Sequence, residues 1–330
     1  LTPLSEFLYF RIDNMVSTRA KSPAKKTPAK SKKAASKAKP APSMVSAQTA
    51  IKVVSWYGMV FFIGLAIFTD KMAESYQVGT TGKSQSFMKF AGLNGMMAVW
   101  LTNAFVARVA HKKTMSLTCF ANMIAFGMIG VWQFAHSPII AGDISFSSKI
   151  GMPAMMEYAN VAQQVTLFVL SFMGWKESGS STMSLPSFKK VSELNKVNYA
   201  TIGVCLFFGI MTTCFSPTIL EMYLPGNVWA NDAEQAMCAE LMKFMGMLLL
   251  GNAIRMEAVI QGGDEDCAYS GVRANSYYYA FALGMSIMND ANGISNMGQT
   301  MEKLMFAKVI DFVRNGGIFV WSYQTLIKYE

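Results

Sequence analysis

After residue 52, the chain consists mainly of long apolar stretches separated by short polar ones. Five of them, bounded by the nearest charged residues, hold between 17 and 29 residues without Asp, Glu, Lys or Arg. A helix of about 20 apolar residues is long enough to cross the hydrocarbon core of a bilayer. We therefore interpret these five stretches as transmembrane helices: residues 53–69, 90–107, 114–142, 158–175 and 197–220.

Three further stretches carry a weaker signal. Residues 274–289 are uncharged over 16 positions, which is a marginal length for a spanning helix. The stretches 241–260 and 305–327 each contain three charged residues, and taken alone they fit a buried or interfacial helix as well as a spanning one. Their charges are Lys243, Arg255 and Glu257 in the first, and Lys308, Asp311 and Arg314 in the second.

An internal repeat favours the spanning interpretation for these weaker stretches. The sequence MKFAG at 88–92 recurs as MKFMG at 242–246, an offset of 154 residues. Further matches follow in the same order, which indicates duplication of a four-helix unit. They are Ala121-Asn122 with Ala274-Asn275, Gly127-Met128 with Gly284-Met285, and Glu157 with Asp311.

The predicted fold is therefore all-α: a polytopic helical membrane protein of about eight transmembrane helices, arranged as two parallel four-helix repeats. An even number of helices in each unit gives the two units the same orientation in the membrane. The predicted organisation is a disordered basic tail (1–50), a first repeat (51–175), a linker (176–196) and a second repeat (197–330).

Composition supports this class. Hydrophobic residues make up 52% of the chain and charged residues only 15%, and the mean hydropathy is +0.28. An ordinary soluble domain has about 25% charged residues. The composition therefore excludes a soluble globular, collagen-like, coiled-coil or small disulfide-stabilised protein as a description of the whole chain.

The net charge of +9 comes from the N-terminal tail. Residues 15–50 hold nine Lys or Arg and no acid, whereas the rest of the chain has 20 cations and 20 anions. A segment rich in Lys, Ala, Pro and Ser lacks the apolar surface needed to fold, so we predict that it is disordered. We expect residues 1–14, which precede Met15, to be a leader sequence or a fragment outside the fold.

The tail has three possible roles. Its motifs Ser22-Pro23 and Thr27-Pro28, each followed by lysine, resemble the basic repeats of linker-histone tails over about 30 residues. The resemblance is compositional, and it implies contact with nucleic-acid phosphates and control by phosphorylation. The same charges would equally bind anionic lipid, or act only as a solvated topogenic segment. The residues expected to make the electrostatic contacts are Lys25, Lys26, Lys30, Lys32 and Lys33.

Loop charges predict the sidedness of the helices. If the tail faces the cytoplasm, most loop cations fall on the cytoplasmic side, as the positive-inside rule requires. Both termini are then cytoplasmic. The cations on that side are Arg108, Lys112, Lys113, Lys176, Lys189, Lys190, Lys196, Arg273 and Lys328.

Ionisable side chains at membrane depth are the best candidates for a site, because burying them is costly unless they are used or paired. Glu157 and Asp311 occupy equivalent positions in the two repeats. Asn160 follows Glu157 by three residues and Gln164 follows Asn160 by four, so all three share one helix face that is suited to line a polar cavity. The alternative is that both acids only favour a helix N-terminus.

Asn122 and Asn275, at equivalent positions in the third helices, complete the candidate polar cavity. Their alternative role is to join helices by hydrogen bonds. We interpret Arg108 and Arg255 as anchors whose charged ends reach the membrane surface.

Metal, cofactor and nucleophile chemistry have little support. The two histidines, His111 and His136, lie towards opposite ends of one stretch, and the five cysteines form no CxxC pair. The phosphate-binding and nucleophile-elbow motifs GxGxxG, Walker A and GxSxG do not occur. We predict no cofactor and no metal.

Two functions remain. The first is binding or transport of a small solute in a cavity between the two repeats. The second is a structural role, in which the tail tethers the bilayer to chromatin or to anionic lipid. An intramembrane enzyme would need a nucleophile or metal set that the sequence does not offer.

Overall fold

A computed structural model describes residues 45–76, 82–109, 111–184, 191–223, 231–263, 265–292 and 301–329. All of these residues belong to one compact unit, and all their regular structure is helical. The predicted basic tail, with Lys25, Lys26, Lys30, Lys32 and Lys33, lies outside the described residues except at its last few positions.

Thirteen α-helices can be traced in the described residues. Two π-helical turns interrupt them: Ile63–Ile67 extends the first helix, and Gly92–Met96 joins the third to the fourth. The helices are α1 (Ala47–Phe62), α2 (Thr69–Ser75), α3 (Gly82–Ala91), α4 (Met97–Val106), α5 (Lys112–Ala135), α6 (Pro138–Ala141), α7 (Phe146–Ile150), α8 (Ala154–Glu177), α9 (Glu193–Cys214), α10 (Ser216–Tyr223), α11 (Asp232–Gly262), α12 (Glu265–Asn292) and α13 (Met301–Tyr329).

Side-chain caps fix where three of the long helices begin. Ser46 accepts a hydrogen bond from the N–H of Thr49 at 3.1 Å, and Ser192 caps α9 in the same way. Asn231 accepts from the N–H of Glu234 at 2.9 Å at the start of α11. Each cap satisfies a backbone donor that the helix cannot pair internally. As a result α1 begins at Ala47, four residues before the predicted domain boundary at 51.

Four helical segments in the described part of the chain are long and apolar enough to cross a membrane. They are Ala47–Ile67, Lys112–Ile144, Glu193–Cys214 and Asp232–Gly262. The last contains the charged stretch 241–260, one of the weaker signals in the sequence. The stretches 90–107, 158–175, 274–289 and 305–327 lie in α3–α4, α8, α12 and α13, and their crossing of a bilayer stays a prediction.

The duplication also stays a prediction, and its strongest match adopts two different conformations. Residues 88–92 end α3 and enter the π-helical turn at Gly92. Residues 242–246 lie inside the continuous 31-residue helix α11.

Several polar side chains are buried inside the bundle, and many large apolar side chains are exposed on its outside. Asn103, Asn122 and Asn198 are fully buried. Val131 is 71% exposed and Phe207 is 61% exposed. This distribution fits a bilayer, because lipid is as apolar as such outward side chains, whereas polar groups at that depth need partners inside the bundle.

Helix α11 is the central element. It packs against α9 on one side and α5 on the other, with further contacts to α3 and α4. Its apolar window is 67% buried, the largest share among the four candidate spans. Because α5 and α9 fall in different predicted repeats, α11 joins the two halves of the bundle.

Helix α1 crosses α4 at a point where only glycine fits. A Cβ built on Gly58 would lie 2.6 Å from the backbone nitrogen of Trp100 and 2.9 Å from its Cα. A rigid backbone cannot yield to such a contact. Gly203 in α9 is the opposite case, because a Cβ there meets nothing within 4 Å.

We expect Gly58→Ala to lower the free energy of unfolding by about 1–3 kcal/mol, because α1 and α4 must separate to admit the methyl group. Gly203→Ala is the matched control, and we expect it to be neutral or to stabilise the helix by up to about 1 kcal/mol. Denaturant titration in detergent micelles measures both. Equal effects of the two substitutions would contradict the observed crossing.

Candidate functional site

A cavity of about 140 Å³ opens at the end of the bundle where α1 and α5 finish and α8 and α11 begin. Its walls come from these four helices together with α2, α3 and α7. Apolar and aromatic side chains make most of the wall, with a set of polar ones between them. The polar members are Tyr57, Tyr76, Gln133, His136, Glu157, Asn160, Gln163, Gln164 and Glu240.

The structure places Glu157, Asn160 and Gln164 together on this cavity, on one face of α8. Glu157 is 3% exposed and Gln164 is 2% exposed. Helix α8 begins at Ala154, so the Glu157 carboxylate lies in its first turn, where the helix dipole favours a negative charge. Its Oε2 also accepts a hydrogen bond from the N–H of Ser147 at 3.0 Å. Glu157 therefore fixes the α7 segment against α8 and still lines the cavity.

Two tyrosines hold the amides of this face in position. Gln164 Nε2 donates to the hydroxyl of Tyr57 at 3.1 Å, which joins α8 to α1. The hydroxyl of Tyr76 donates to Asn160 Oδ1 at 3.0 Å. Burial raises the pKa of the Tyr76 phenol, so this hydroxyl keeps its proton and remains a donor.

Several acceptor oxygens on the cavity wall lack a partner. Gln133 Oε1, Gln164 Oε1 and Glu240 Oε2 are buried and make no hydrogen bond to any described residue. An unsatisfied buried acceptor costs about 1–3 kcal/mol. Three such oxygens belong to side chains that line one cavity.

Glu240 was not predicted as a site residue. In the sequence it directly precedes the stretch 241–260, so it marks only the edge of an apolar segment. Its Oε1 accepts a hydrogen bond from Lys243 Nζ at 2.8 Å, one helical turn on. The polar residues at the start of α11 are the one feature of the sequence that could have indicated Glu240 as a site residue. Nothing in the sequence, however, shows that α11 packs near α8.

Asn122 and Asn275, predicted as cavity residues, lie elsewhere. Asn122 Nδ2 donates to Asn103 Oδ1 at 2.8 Å, which joins α5 to α4. Asn275 Nδ2 donates to Asn198 Oδ1 at 3.2 Å, which joins α12 to α9. Both side chains are buried, so their amides find partners on neighbouring helices and neither lines the cavity. Asp311 belongs to α13, and its side chain lies outside the described part of the structure.

Arg255 is fully buried, which corrects its interpretation as a surface anchor. Its Nε donates to Asn122 Oδ1 at 2.6 Å, and its guanidinium lies 5.4 Å from the centre of the Phe126 ring. Its Nη1 and Nη2 have no hydrogen-bond partner among the described residues. Arg255 lies in the last third of α11, and its contacts with Asn122 and Phe126 on α5 hold its side chain inside the bundle.

The described residues contain no group of three His, Cys, Asp or Glu side chains that could hold a metal ion. The five cysteines are not joined in disulfides, and all but Cys214 are buried. His136 lines the cavity, and its Nδ1 lies 2.9 Å from the carbonyl oxygen of Trp132, so Nε2 is left as its second hydrogen-bonding atom.

Comparison of the chain with protein-family models, with curated proteins and with solved structures found no match.

We expect Asn122→Leu to destabilise the protein by about 3 kcal/mol, because it leaves the Arg255 charge buried with no partner at Nε. Arg255→Met removes that charge, so Arg255→Met combined with Asn122→Leu should cost much less than the sum of the single changes. Denaturant titration of the two single variants and the double variant measures this coupling.

Arg108→Met is the control for the loss of a cation. Arg108 is exposed, and we expect a change of no more than about 0.5 kcal/mol. Additive effects of Asn122→Leu and Arg255→Met would contradict the observed contact between the two side chains.

Proposed function

We propose that this chain is a multi-pass helical membrane protein that binds a small solute in the cavity between α1, α5, α8 and α11. The observation that carries the proposal is a cavity lined by Gln133, Gln164 and Glu240, each of which has a buried acceptor oxygen with no hydrogen-bond partner among the described residues. Membrane helices normally satisfy such groups internally, as Asn122 and Asn275 do. A site that leaves them open is suited to a ligand that supplies the donors.

The size and walls of the cavity indicate the kind of solute. An apolar cavity of about 150 Å³ is known to hold a single benzene ring. The present cavity, at about 140 Å³, has aromatic walls that include Phe61, Trp132 and Phe244. A ligand of one ring or of comparable bulk, with an apolar body and a hydrogen-bonding end, fits this combination.

The cavity is lined by residues from both predicted repeats. The predicted duplication led us to expect a solute site between the repeats. Its walls combine α1, α5 and α8 from the first predicted repeat with α11 from the second. If the tail is cytoplasmic, α1 runs outward and the cavity lies towards the outer side of the membrane. The tethering function concerns the tail, and no contact of the described residues supports it.

Three probes of similar size test the proposal: benzyl alcohol, benzylammonium and benzoate. The full-length protein in lipid nanodiscs is titrated with each, and empty nanodiscs of the same lipid correct for partitioning into the bilayer. We expect saturable binding of at least one probe at one site per chain.

Leu241→Trp fills the cavity, because Leu241 lines it, and we expect it to abolish that binding. Ile210→Trp is the matched control, since Ile210 is 47% exposed on α9 and does not line the cavity. Ala73→Phe is a second filling variant, from α2. No saturable binding of any probe, or equal binding by Leu241→Trp and the unaltered protein, would contradict a solute site here.

A further inference from the structure

We infer that the ligand of this cavity is an organic cation, an ammonium group carried on an apolar body. The inference rests on the proposed function and names the chemical class of its solute. It depends on the charges, the acceptors and the aromatic rings that surround the cavity.

The charges on the cavity wall are of one sign. Glu157 and Glu240 both line it, and among the described residues on the wall none is Lys or Arg. Lys243 binds Glu240 Oε1 from one turn further along α11, but it does not itself line the cavity. At this depth in an apolar bundle, carboxylates lose much of their hydration, so a cation that replaces it is strongly favoured over a neutral molecule.

The buried hydrogen-bonding atoms of the described wall residues that lack a partner are all acceptors. Glu240 Oε2 is unpartnered, and so are the amide oxygens of Gln133 and Gln164. An ammonium group is a pure donor with three N–H bonds, which matches such a set. A carboxylate or phosphate ligand would place its own acceptor oxygens against these acceptors, with no donor between them.

The aromatic walls suit the same charge. Tyr57, Phe61, Trp132 and Phe244 line the cavity. The faces of aromatic rings carry negative potential and attract organic cations, and the attraction strengthens where water is excluded. An anionic ligand would be repelled by both the rings and the carboxylates.

Binding of the three matched probes to the full-length protein in nanodiscs tests the inference. We expect benzylammonium to bind about tenfold or more tightly than benzyl alcohol, because only the cation gains the attraction of two carboxylates in a partly dehydrated site. Benzoate should bind more weakly than benzyl alcohol. Isothermal titration calorimetry at a single pH gives the dissociation constants of the three probes.

Two substitutions should change cation binding in opposite directions. Glu240→Gln keeps the shape and removes a negative charge, so benzylammonium should lose most of its advantage while benzyl alcohol is unaffected. Lys243→Gln removes the cation that neutralises Glu240, so it should strengthen benzylammonium binding. A purely structural role of the Glu240–Lys243 pair would not give opposite signs.

Glu193→Gln is the matched control. Glu193 pairs with Lys196 at the same three-residue spacing, but it lies at the exposed start of α9 and does not line the cavity. We expect it to leave the binding of all three probes unchanged. Glu157→Gln is a second cavity variant that keeps the inference testable should Glu240→Gln fail to fold.

The outcomes separate the inference from the proposed function. If benzyl alcohol or benzoate binds as tightly as benzylammonium, or if Glu240→Gln and Glu157→Gln weaken every probe equally, the cation preference is wrong and a solute site remains. If no probe binds, the solute site itself is wrong.

Discussion

Polar side chains inside a bundle whose outer surface is apolar must find their partners within the bundle. Water is absent from the hydrocarbon core, so a polar group without an internal partner is costly there. This constraint accounts for the interhelical bonds from Asn122 to Asn103 and from Asn275 to Asn198. It also explains why Asn103, Asn122 and Asn198 are buried while residues such as Val131 and Phe207 face outward.

The same constraint organises the centre of the fold around α11. Arg255 on α11 binds Asn122 on α5, Asn122 binds Asn103, and Asn103 Nδ2 closes the series on the carbonyl of Val99 at 2.8 Å. Nearby, Thr102 donates to Asn252 at 2.9 Å, which ties α4 to α11 a second time. Because dispersion and hydrogen bonding replace the hydrophobic effect between membrane helices, such polar contacts specify which helices pack together.

The cavity is one place where the protein alone does not meet this constraint, and the Arg255 guanidinium is another. Gln164 satisfies one end of its amide with Tyr57 and leaves the other open, and Glu240 satisfies one oxygen with Lys243 and leaves the other open. Each side chain is thus held in position by one hydrogen bond, while its other acceptor oxygen is buried beside the cavity without a partner among the described residues. Positioned but unsatisfied groups are typical of binding sites, because the ligand then completes contacts that are already oriented.

The sequence by itself determined the all-helical class and the apolar segments. The length of an uncharged stretch is a local property of the sequence, and it can be compared directly with the thickness of a bilayer. It also determined that Glu157, Asn160 and Gln164 share a face, since helical spacing fixes that relation. Only the tertiary structure decided which face meets which helix. In the structure Glu240 lines the same cavity as α8, Asn122 and Asn275 form interhelical hydrogen bonds, and Arg255 is buried. These outcomes depend on how α11 packs against α5 and α9, and that packing is set by contacts between residues far apart in the chain.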